Sequence, residues 1–390
     1  MRLYMRIIAA TSLLALALAA SLAGTHHASA APSVVGHVYV NDNTAGLNTI
    51  GAFDRLGDGT LVPMRGSPFA AGGSGTGHSI GSQGALQVSS DGHFLLAVDA
   101  GSSQLSVLRI RPDGELSRVG HPVSSGGIEP VSIAVYGELV YVANEGNGST
   151  GANYTGFTLN SGGHLFALSH STVPLANTAN PGDVFFSPDG THLVGTEVGT
   201  TDPSTWRIDS FVVRRDGRLM PAPGSPFAAQ GPGPFGSEFR PTNAQQLFIS
   251  NAHGGTDNGT ISAFDVARDG ALTSVGGSPY PDIQTAPCWI EITHDGRYLF
   301  TVNTASASIS RYAIAADGAL TLLGSTAMQH SAGLSPFDAR LSPTGSFLYV
   351  VDSGLDAVSA FAVRGGDLAE LPSSPTPGPA GAAPFGLVVL

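Results

Sequence analysis

Three charged residues interrupt apolar runs of the sequence that are otherwise typical of buried β-strands. Glu238 lies within Phe-Gly-Ser-Glu-Phe, Glu291 within Trp-Ile-Glu-Ile and Arg340 within Phe-Asp-Ala-Arg-Leu. Such a charge is costly unless it is paired or used, and a shielded carboxyl group can act as a general acid or base. We predict Glu238 and Glu291 as catalytic acid–base residues, with Arg340 holding a carboxylate or an oxyanion. The alternative is a structural salt bridge from Arg340 to Glu291 or Asp338.

Three further residues are predicted to face the same side as these charges. Asp183, Trp289 and Asp338 each lie two residues after a proline that recurs along the chain. Because side chains alternate along a strand, residues two and four after that proline share one side. We therefore predict these three residues as binding residues.

Long loops give a second group of binding candidates. The longest loops lie at 145–153, 198–207 and 252–259, and long loops on one rim of a fold often bind ligands. The alternative is that their polar residues are solvated loop tips. The polar candidates in or beside these loops are Glu145, Glu197, Arg207 and His253, of which we predict the last three as binding residues.

Several other kinds of chemistry are excluded. The chain contains no lysine, which rules out a Schiff-base lysine, and its one cysteine, Cys288, cannot form an intramolecular disulfide. Gly77-His78-Ser79-Ile80-Gly81 matches the G-x-S-x-G nucleophile pattern, but it lies in a Gly-rich linker with no helix after it, so we interpret it as a chance match. No zinc or EF-hand spacing occurs, and we expect neither a metal nor a cofactor.

A repeat of about fifty residues organises the chain. Each copy contains four short runs rich in β-branched and aromatic residues, and Asp-Gly turns separate many of them. Since the polar residue that ends the second run recurs in every copy, we interpret it as a turn cap rather than as a cation ligand. These seven residues are Asn41, Asp99, Asn144, Glu197, Asn251, Asn303 and Asp352.

The first copy lacks its opening strand, and the other end of the chain supplies one. Val38-Tyr39-Val40-Asn41 resembles a second strand, whereas residues 384–390 match the opening strand of the other copies. A β-sandwich does not explain this arrangement. We predict an all-β fold, a seven-bladed β-propeller of four-stranded antiparallel blades, whose ring is closed by the C-terminal strand joining the first blade.

The first thirty residues are typical of a secretory signal peptide. Arg2 and Arg6 precede an apolar run, and Ala28-Ser29-Ala30 forms a small-residue cleavage site. We predict a signal peptide at 1–30, a single propeller domain at 31–390 with no membrane span, and a secreted or extracytoplasmic location in a bacterium. The net charge of −12 argues against nucleic-acid binding, and we expect a monomer.

The sequence resembles the lactonase-type propellers, which include 6-phosphogluconolactonases and 3-carboxy-cis,cis-muconate lactonizing enzymes. The resemblance rests on Ser187-Pro188-Asp189-Gly190, on Leu-Tyr-Val-Val-Asp at 348–352 and on Asp-Gly-x-Leu before the fourth strands. It implies lactone hydrolysis or muconate-type cycloisomerisation of a small acidic or lactone substrate. Family enzymes often carry His or Arg-His where this chain has Asn180-Pro181 and Gly233-Pro234. The alternative function is therefore a non-catalytic secreted propeller that binds a protein, glycan or small metabolite.

Overall fold

The computed structural model of the protein describes residues 33–329 and 333–390. The predicted signal peptide lies outside the described residues, so its boundary and the domain start at residue 31 stay predictions. Within the described part, short strands form seven antiparallel sheets, and the helical elements are the 3₁₀ turns Ala100–Ser102 and Pro203–Thr205. None of its helices has the length and apolarity needed to cross a membrane.

The seven sheets are the blades of a propeller, and we number them in chain order. Each strand list below runs from the inner to the outer strand. Blade 1 contains Leu387–Val389, Val34–Asn41, Thr49–Leu56 and Leu61–Pro63; blade 2 contains Leu86–Val88, Phe94–Asp99, Gln104–Ile110 and Leu116–Arg118; blade 3 contains Pro130–Tyr136, Leu139–Asn144, Asn153–Leu159 and Leu165–Ala167.

The remaining four blades follow the same order. Blade 4 contains Pro181–Phe186, His192–Glu197, Arg207–Val213 and Leu219–Pro221; blade 5 contains Pro234–Arg240, Asn243–Asn251, Thr260–Val266 and Leu272–Ser274. Blade 6 contains Pro287–Ile292, Tyr298–Asn303, Ser308–Ile314 and Leu320–Ala327; blade 7 contains Pro336–Leu341, Phe347–Asp352, Ala357–Arg364 and Asp367–Glu370. The predicted propeller of four-stranded blades is confirmed.

The outer strand differs from the prediction, because in six blades it is broken into two pieces that both pair with the third strand. In blade 1, the Ser67 hydroxyl at the break accepts a hydrogen bond from the Ala52 amide at 2.8 Å. Ser225 does the same for the Ser210 amide in blade 4 at 3.0 Å. The serine replaces a ladder bond where the outer strand turns away. The second pieces are Phe69–Ala70, Val123–Ser124, Val173–Pro174, Phe227–Ala228, Tyr280–Pro281 and Thr376–Pro377.

Eight Asp-Gly pairs form the hairpin turns that the sequence predicts. In each pair the aspartate carboxylate accepts a hydrogen bond from the amide two residues later, and the glycine has a φ between 68° and 89°. Glycine adopts this region without steric cost. Because these turns join strands one and two or strands three and four of antiparallel blades, they lie on one face of the ring, which we call the lower face. The opposite, upper face carries the connections between strands two and three.

The ring closes between the two ends of the described chain. Leu387–Val389 pairs with Val34–Asn41 in register, with Tyr39 opposite Val388. The side chain of Arg55 adds two hydrogen bonds to the Leu390 carbonyl, at 3.1 and 2.9 Å. The predicted closure is confirmed, and it gives blade 1 its inner strand.

Removal of residues 383–390 should destabilise the whole ring, since blade 1 would lose the strand that completes its sheet. Within that strand, Leu387→Ala should lower the free energy of unfolding by about 2–5 kcal/mol, because Leu387 is fully buried. Thermal and urea unfolding followed by circular dichroism would measure both effects. The matched control is Leu47→Ala on an exposed loop, which should change stability by less than about 0.5 kcal/mol. Unchanged melting of the truncated chain would refute the closure.

Candidate functional site

The centre of the ring is filled by a short segment, residues 82–84, that leads into blade 2. All three residues are buried, and their polar groups bond to five other blades. This axial segment lies just after the G-x-S-x-G match at 77–81. Its partners are the carbonyls of Val131, Gly182 and Ser237, at 2.7, 2.9 and 3.3 Å, the Ile290 amide at 3.0 Å and the Asp338 carboxylate at 3.1 Å.

Aromatic side chains pack against the axial segment. The ring of Trp289 lies between those of Phe235 and Phe337, with centroid distances of 5.2 and 4.7 Å, and Phe385 packs on Phe337 at 4.3 Å. The Trp289 indole N–H donates to the Ser82 carbonyl at 2.7 Å. Trp289, which the sequence predicts as a binding residue, is thus 1% exposed and part of the axial core.

The predicted catalytic residues come together beside this core. Arg340 donates to Asp338 at 2.9 Å and lies 3.5 Å from Glu291. Glu291 in turn accepts a hydrogen bond from the Leu341 amide of blade 7 at 2.8 Å. The Arg340–Glu291 pair therefore joins blades 6 and 7, whereas the Arg340–Asp338 pair lies within blade 7; both are the salt bridges that the sequence offers as the alternative. Their catalytic role stays a prediction.

Burial changes the protonation of this axial charge cluster. Desolvation raises the pKa of Asp183 and that of Glu291 to about 7, although the Arg340 charge opposes both shifts. Desolvation and the neighbouring Glu291 raise the pKa of Glu238 well above its usual range. Asp183 is tied into the wall, since it accepts hydrogen bonds from the amide and the hydroxyl of Ser237 at 2.9 and 2.7 Å. A buried cluster of this kind stabilises the ring best when some of its carboxyls are protonated.

This cluster should make stability depend on pH. A carboxyl whose pKa is higher in the folded state than in the unfolded state binds extra protons on folding, so its contribution to stability falls as pH rises from about 4.5 towards 7. We expect the melting temperature of Glu238→Gln to decrease less than that of the wild type between pH 5 and pH 8. Glu138→Gln, at an exposed position in the blade 3 turn, is the control. Parallel pH profiles for the wild type and Glu238→Gln would contradict this account.

A second group of charges lines an open cleft between blades 3 and 4. The cleft has a volume of about 370 Å³, and its wall includes Glu197, Arg207 and Asp209 together with apolar side chains such as Leu175 and Phe211. Glu197 ends the second strand of blade 4, and Arg207 pairs with it across the sheet. Asp209 lies two residues further along the third strand. Clefts of this size accommodate small ligands.

Blade 4 is exceptional at this position. In every blade, the residue that ends the second strand pairs with a residue of the third strand, and the next residue on the same side of that strand lies two positions later. In blade 4 this residue is Asp209, which faces Glu197. The equivalent residues of the other blades are small: Ala52, Ser106, Thr155, Ser262, Ser310 and Ser359. Only blade 4 therefore places two carboxyl groups together there.

The two carboxyls share a hydrogen bond, which requires that one of them be protonated. Desolvation raises the pKa of Glu197 to about 8, and the Asp209 carboxylate raises it further, whereas Arg207 opposes the shift. Desolvation raises the pKa of Asp209 only to about 6, because hydrogen bonds from Glu197 and Tyr154 favour its charged form. At neutral pH the pair therefore holds one proton, and the hydrogen bond that Asp209 accepts from Tyr154 favours Glu197 as its carrier. Such separated pKa values distinguish an acid from a base.

Tyr154 reaches this pair from blade 3. Its hydroxyl donates to Asp209 at 3.1 Å, and the side chain is completely buried. Gly195 makes this possible, because a β-carbon there would come within 2.2 Å of the Tyr154 hydroxyl. The cleft is thus built by both blades.

His253, the remaining predicted binding residue, lies outside the cleft. It lines a second pocket of about 500 Å³ on the upper face, together with Gly199, Thr200, Thr201 and Trp206. Residues 203–205 lie in the chain between Thr201 and Trp206 of this pocket, and Ser204 and Thr205 line the cleft. Of the predicted rim residues, the structure therefore brings Glu197 and Arg207 together in the cleft. His253 lies in the second pocket.

Sequence reasoning missed Asp209, Tyr154 and Trp206. Asp209 could have been found by aligning the third strands, where it replaces a small residue. Tyr154 gives no such signal, because its role depends on the contact between blades. Within the described residues, no group of three or more His, Cys, Asp or Glu side chains is arranged to hold a metal ion.

Comparison with known proteins finds a family model that is similar to about half of the chain. Residues 199–384 match the family model described as "Lactonase, 7-bladed beta-propeller". This part of the chain is similar to the lactonase-type propellers. The predicted resemblance is confirmed, and a small-molecule substrate is consistent with it. No curated protein matches the chain by sequence.

Solved structures share the fold of this lactonase-type propeller. A candidate 6-phosphogluconolactonase from Bacteroides uniformis has a TM-score of 0.69 and 20% identity, over 90% of this chain and 98% of its own. The periplasmic gluconolactonase of Pseudomonas aeruginosa has a TM-score of 0.70 and 17% identity, also over 90% and 98%. A protein from Lactobacillus plantarum has a TM-score of 0.70 and 20% identity, over 91% and 99%. At these identities the likeness concerns the fold.

Proposed function

We propose that the protein is an extracytoplasmic lactone hydrolase whose acid–base group is the Glu197–Asp209 pair. The observation that carries the proposal is that Glu197 and Asp209 lie together in an open cleft beside Arg207. The raised pKa of Glu197 supports it. The lactonase family and the signal-peptide pattern at 1–30 support the reaction class and the location. The axial charges are a weaker candidate for the reaction, because they lie beside the buried axial segment and bond to the blades.

The reaction needs one base and one acid. The Asp209 carboxylate takes a proton from water as its oxygen forms a bond to the lactone carbonyl carbon. Arg207 stabilises the negative charge that develops on the carbonyl oxygen. When the ring C–O bond breaks, the Glu197 carboxyl donates its proton to the leaving oxygen, and the product is a hydroxy acid. Proton transfer from Asp209 to Glu197 through their hydrogen bond restores the starting state.

Neutralising either carboxyl should therefore abolish most of the activity. We expect Asp209→Asn and Glu197→Gln each to lower kcat/KM by about 10²–10⁴-fold on the best lactone of a panel of five- and six-membered rings, followed by pH-stat. Asp352→Asn is the matched control, since it changes the residue equivalent to Glu197 in blade 7. Glu238→Gln tests the axial site: a comparable loss there, with the cleft variants active, would move the reaction to the axis. No turnover of any lactone by the wild type would favour the non-catalytic binding function.

The pH profile is a second test of the same pair. Activity needs Asp209 ionised and Glu197 protonated, so kcat/KM should be bell-shaped, rising near pH 6 and falling near pH 8. In Glu197→Gln the residual activity should lose the fall at high pH, because the titrating acid is gone. A profile that keeps its alkaline limb in this variant would exclude Glu197 as the acid.

A further inference from the structure

The pocket beside the cleft has an aromatic wall that is fixed in place. The Trp206 indole N–H donates to the Thr200 carbonyl at 2.7 Å, so its polar edge is already satisfied. The Trp206 backbone also accepts a hydrogen bond from the Ala229 amide at 3.1 Å. A ring held in this way offers an apolar face to a ligand without losing rotational freedom on binding.

The second aromatic residue of the pocket, His253, is also fixed by contacts with neighbouring residues. Its backbone amide donates to the Pro232 carbonyl at 3.0 Å. Its imidazole packs on Gly233, whose φ is 62° and where a β-carbon would come within 2.5 Å of the ring. Desolvation lowers the pKa of His253, so the imidazole is neutral at neutral pH.

The lining of the pocket carries no charge at neutral pH. Its residues are one glycine, two threonines, Trp206 and the neutral His253. The Thr201 side chain is exposed and can exchange hydrogen bonds with a hydroxylated ligand. A protein with a net charge of −12 and no basic residue in this pocket disfavours a phosphorylated ligand. An uncharged ring with apolar faces and hydroxyl groups at its edge fits these properties.

We propose that Trp206 and His253 form a subsite for an uncharged polyhydroxylated ring. The proposal goes beyond the lactone hydrolase function above, and it assigns this pocket to unphosphorylated sugar-like ligands. The pocket is distinct from the cleft, because Thr201, Trp206 and His253 line the pocket whereas Ser204, Thr205 and Arg207 line the cleft.

Tryptophan fluorescence tests the subsite directly. The chain has two tryptophans, and Trp289 is buried at the axis, so a ligand-induced change reports on Trp206. The probes are gluconolactam, in which an amide replaces the reactive ester, and its 6-phosphate. We expect gluconolactam to change the emission of the wild type in a saturable way and to leave that of Trp206→Phe unchanged.

Calorimetry with the same probes supplies the affinities. Trp206→Ala should weaken gluconolactam binding about tenfold and His253→Ala severalfold, whereas the 6-phosphate should bind the wild type more weakly than the unphosphorylated probe. Phe166→Ala, which removes an exposed aromatic residue from blade 3, is the matched control and should bind like the wild type. Melting curves of all variants verify folding. Tighter binding of the 6-phosphate, or no gluconolactam binding by the wild type, would overturn the proposal.

The two proposals fail in different ways. Glu197→Gln and Asp209→Asn should lose turnover but keep Trp206-dependent binding of gluconolactam. If the wild type binds gluconolactam through Trp206 yet hydrolyses no lactone, the hydrolase proposal fails and the subsite stands. If lactones are hydrolysed while Trp206→Ala and His253→Ala bind gluconolactam like the wild type, the subsite fails and the hydrolase stands.

Discussion

The axis of the ring sets the constraint on which the rest of the structure depends. Seven inner strands converge there, and the polar groups that they bury need partners. Residues 82–84 meet this need, because their amides, carbonyls and side chains bond to five blades at once. The segment is part of the chain, so it satisfies those groups in every molecule without a ligand. The same arrangement removes the centre of the ring from the space available for a substrate.

Because residues 82–84 fill the axis, the charged side chains around them have a structural role. Arg340 bonds to Asp338 of its own blade and approaches Glu291 of blade 6, which makes it a link in the wall. The raised pKa values of Glu291 and Asp183 reflect the cost of burying several carboxyls around one guanidinium. Perturbed carboxyls often mark active sites, but structural ion clusters perturb them as well. The exposed fractions of the carboxyls do not separate these roles, since Glu291 is 8% exposed and Glu197 is 7% exposed. What favours Glu197 and Asp209 is the cleft that opens beside them.

The sequence predicts the scaffold well, because each copy of the repeat contains the same local strand and turn patterns. Asp-Gly turns, alternating strands and the displaced opening strand at 384–390 are all local patterns, and each is found in the structure. The site is less predictable. Glu197 and Arg207 could be identified as candidates because they flank one long loop. Asp209 can be recognised as a site residue only when the pairing of the two strands, which places it beside Glu197, is known. The axial role of Gln83 depends on contacts with blades up to 207 residues away, which no local pattern encodes.

In a repeat fold, a position where one blade differs from the others indicates a functional site better than a position that all blades share. Six blades place a small or hydroxyl residue opposite the end of the second strand, as packing alone would favour. Blade 4 instead buries a second carboxyl, which costs stability unless the pair is used or neutralised. The long loop that follows Glu197 also supplies Trp206 and Arg207 to two different pockets. One blade thus carries a costly charge pair, a half-buried cation and a fixed aromatic ring, and their joint occurrence is harder to explain by folding than by ligand binding.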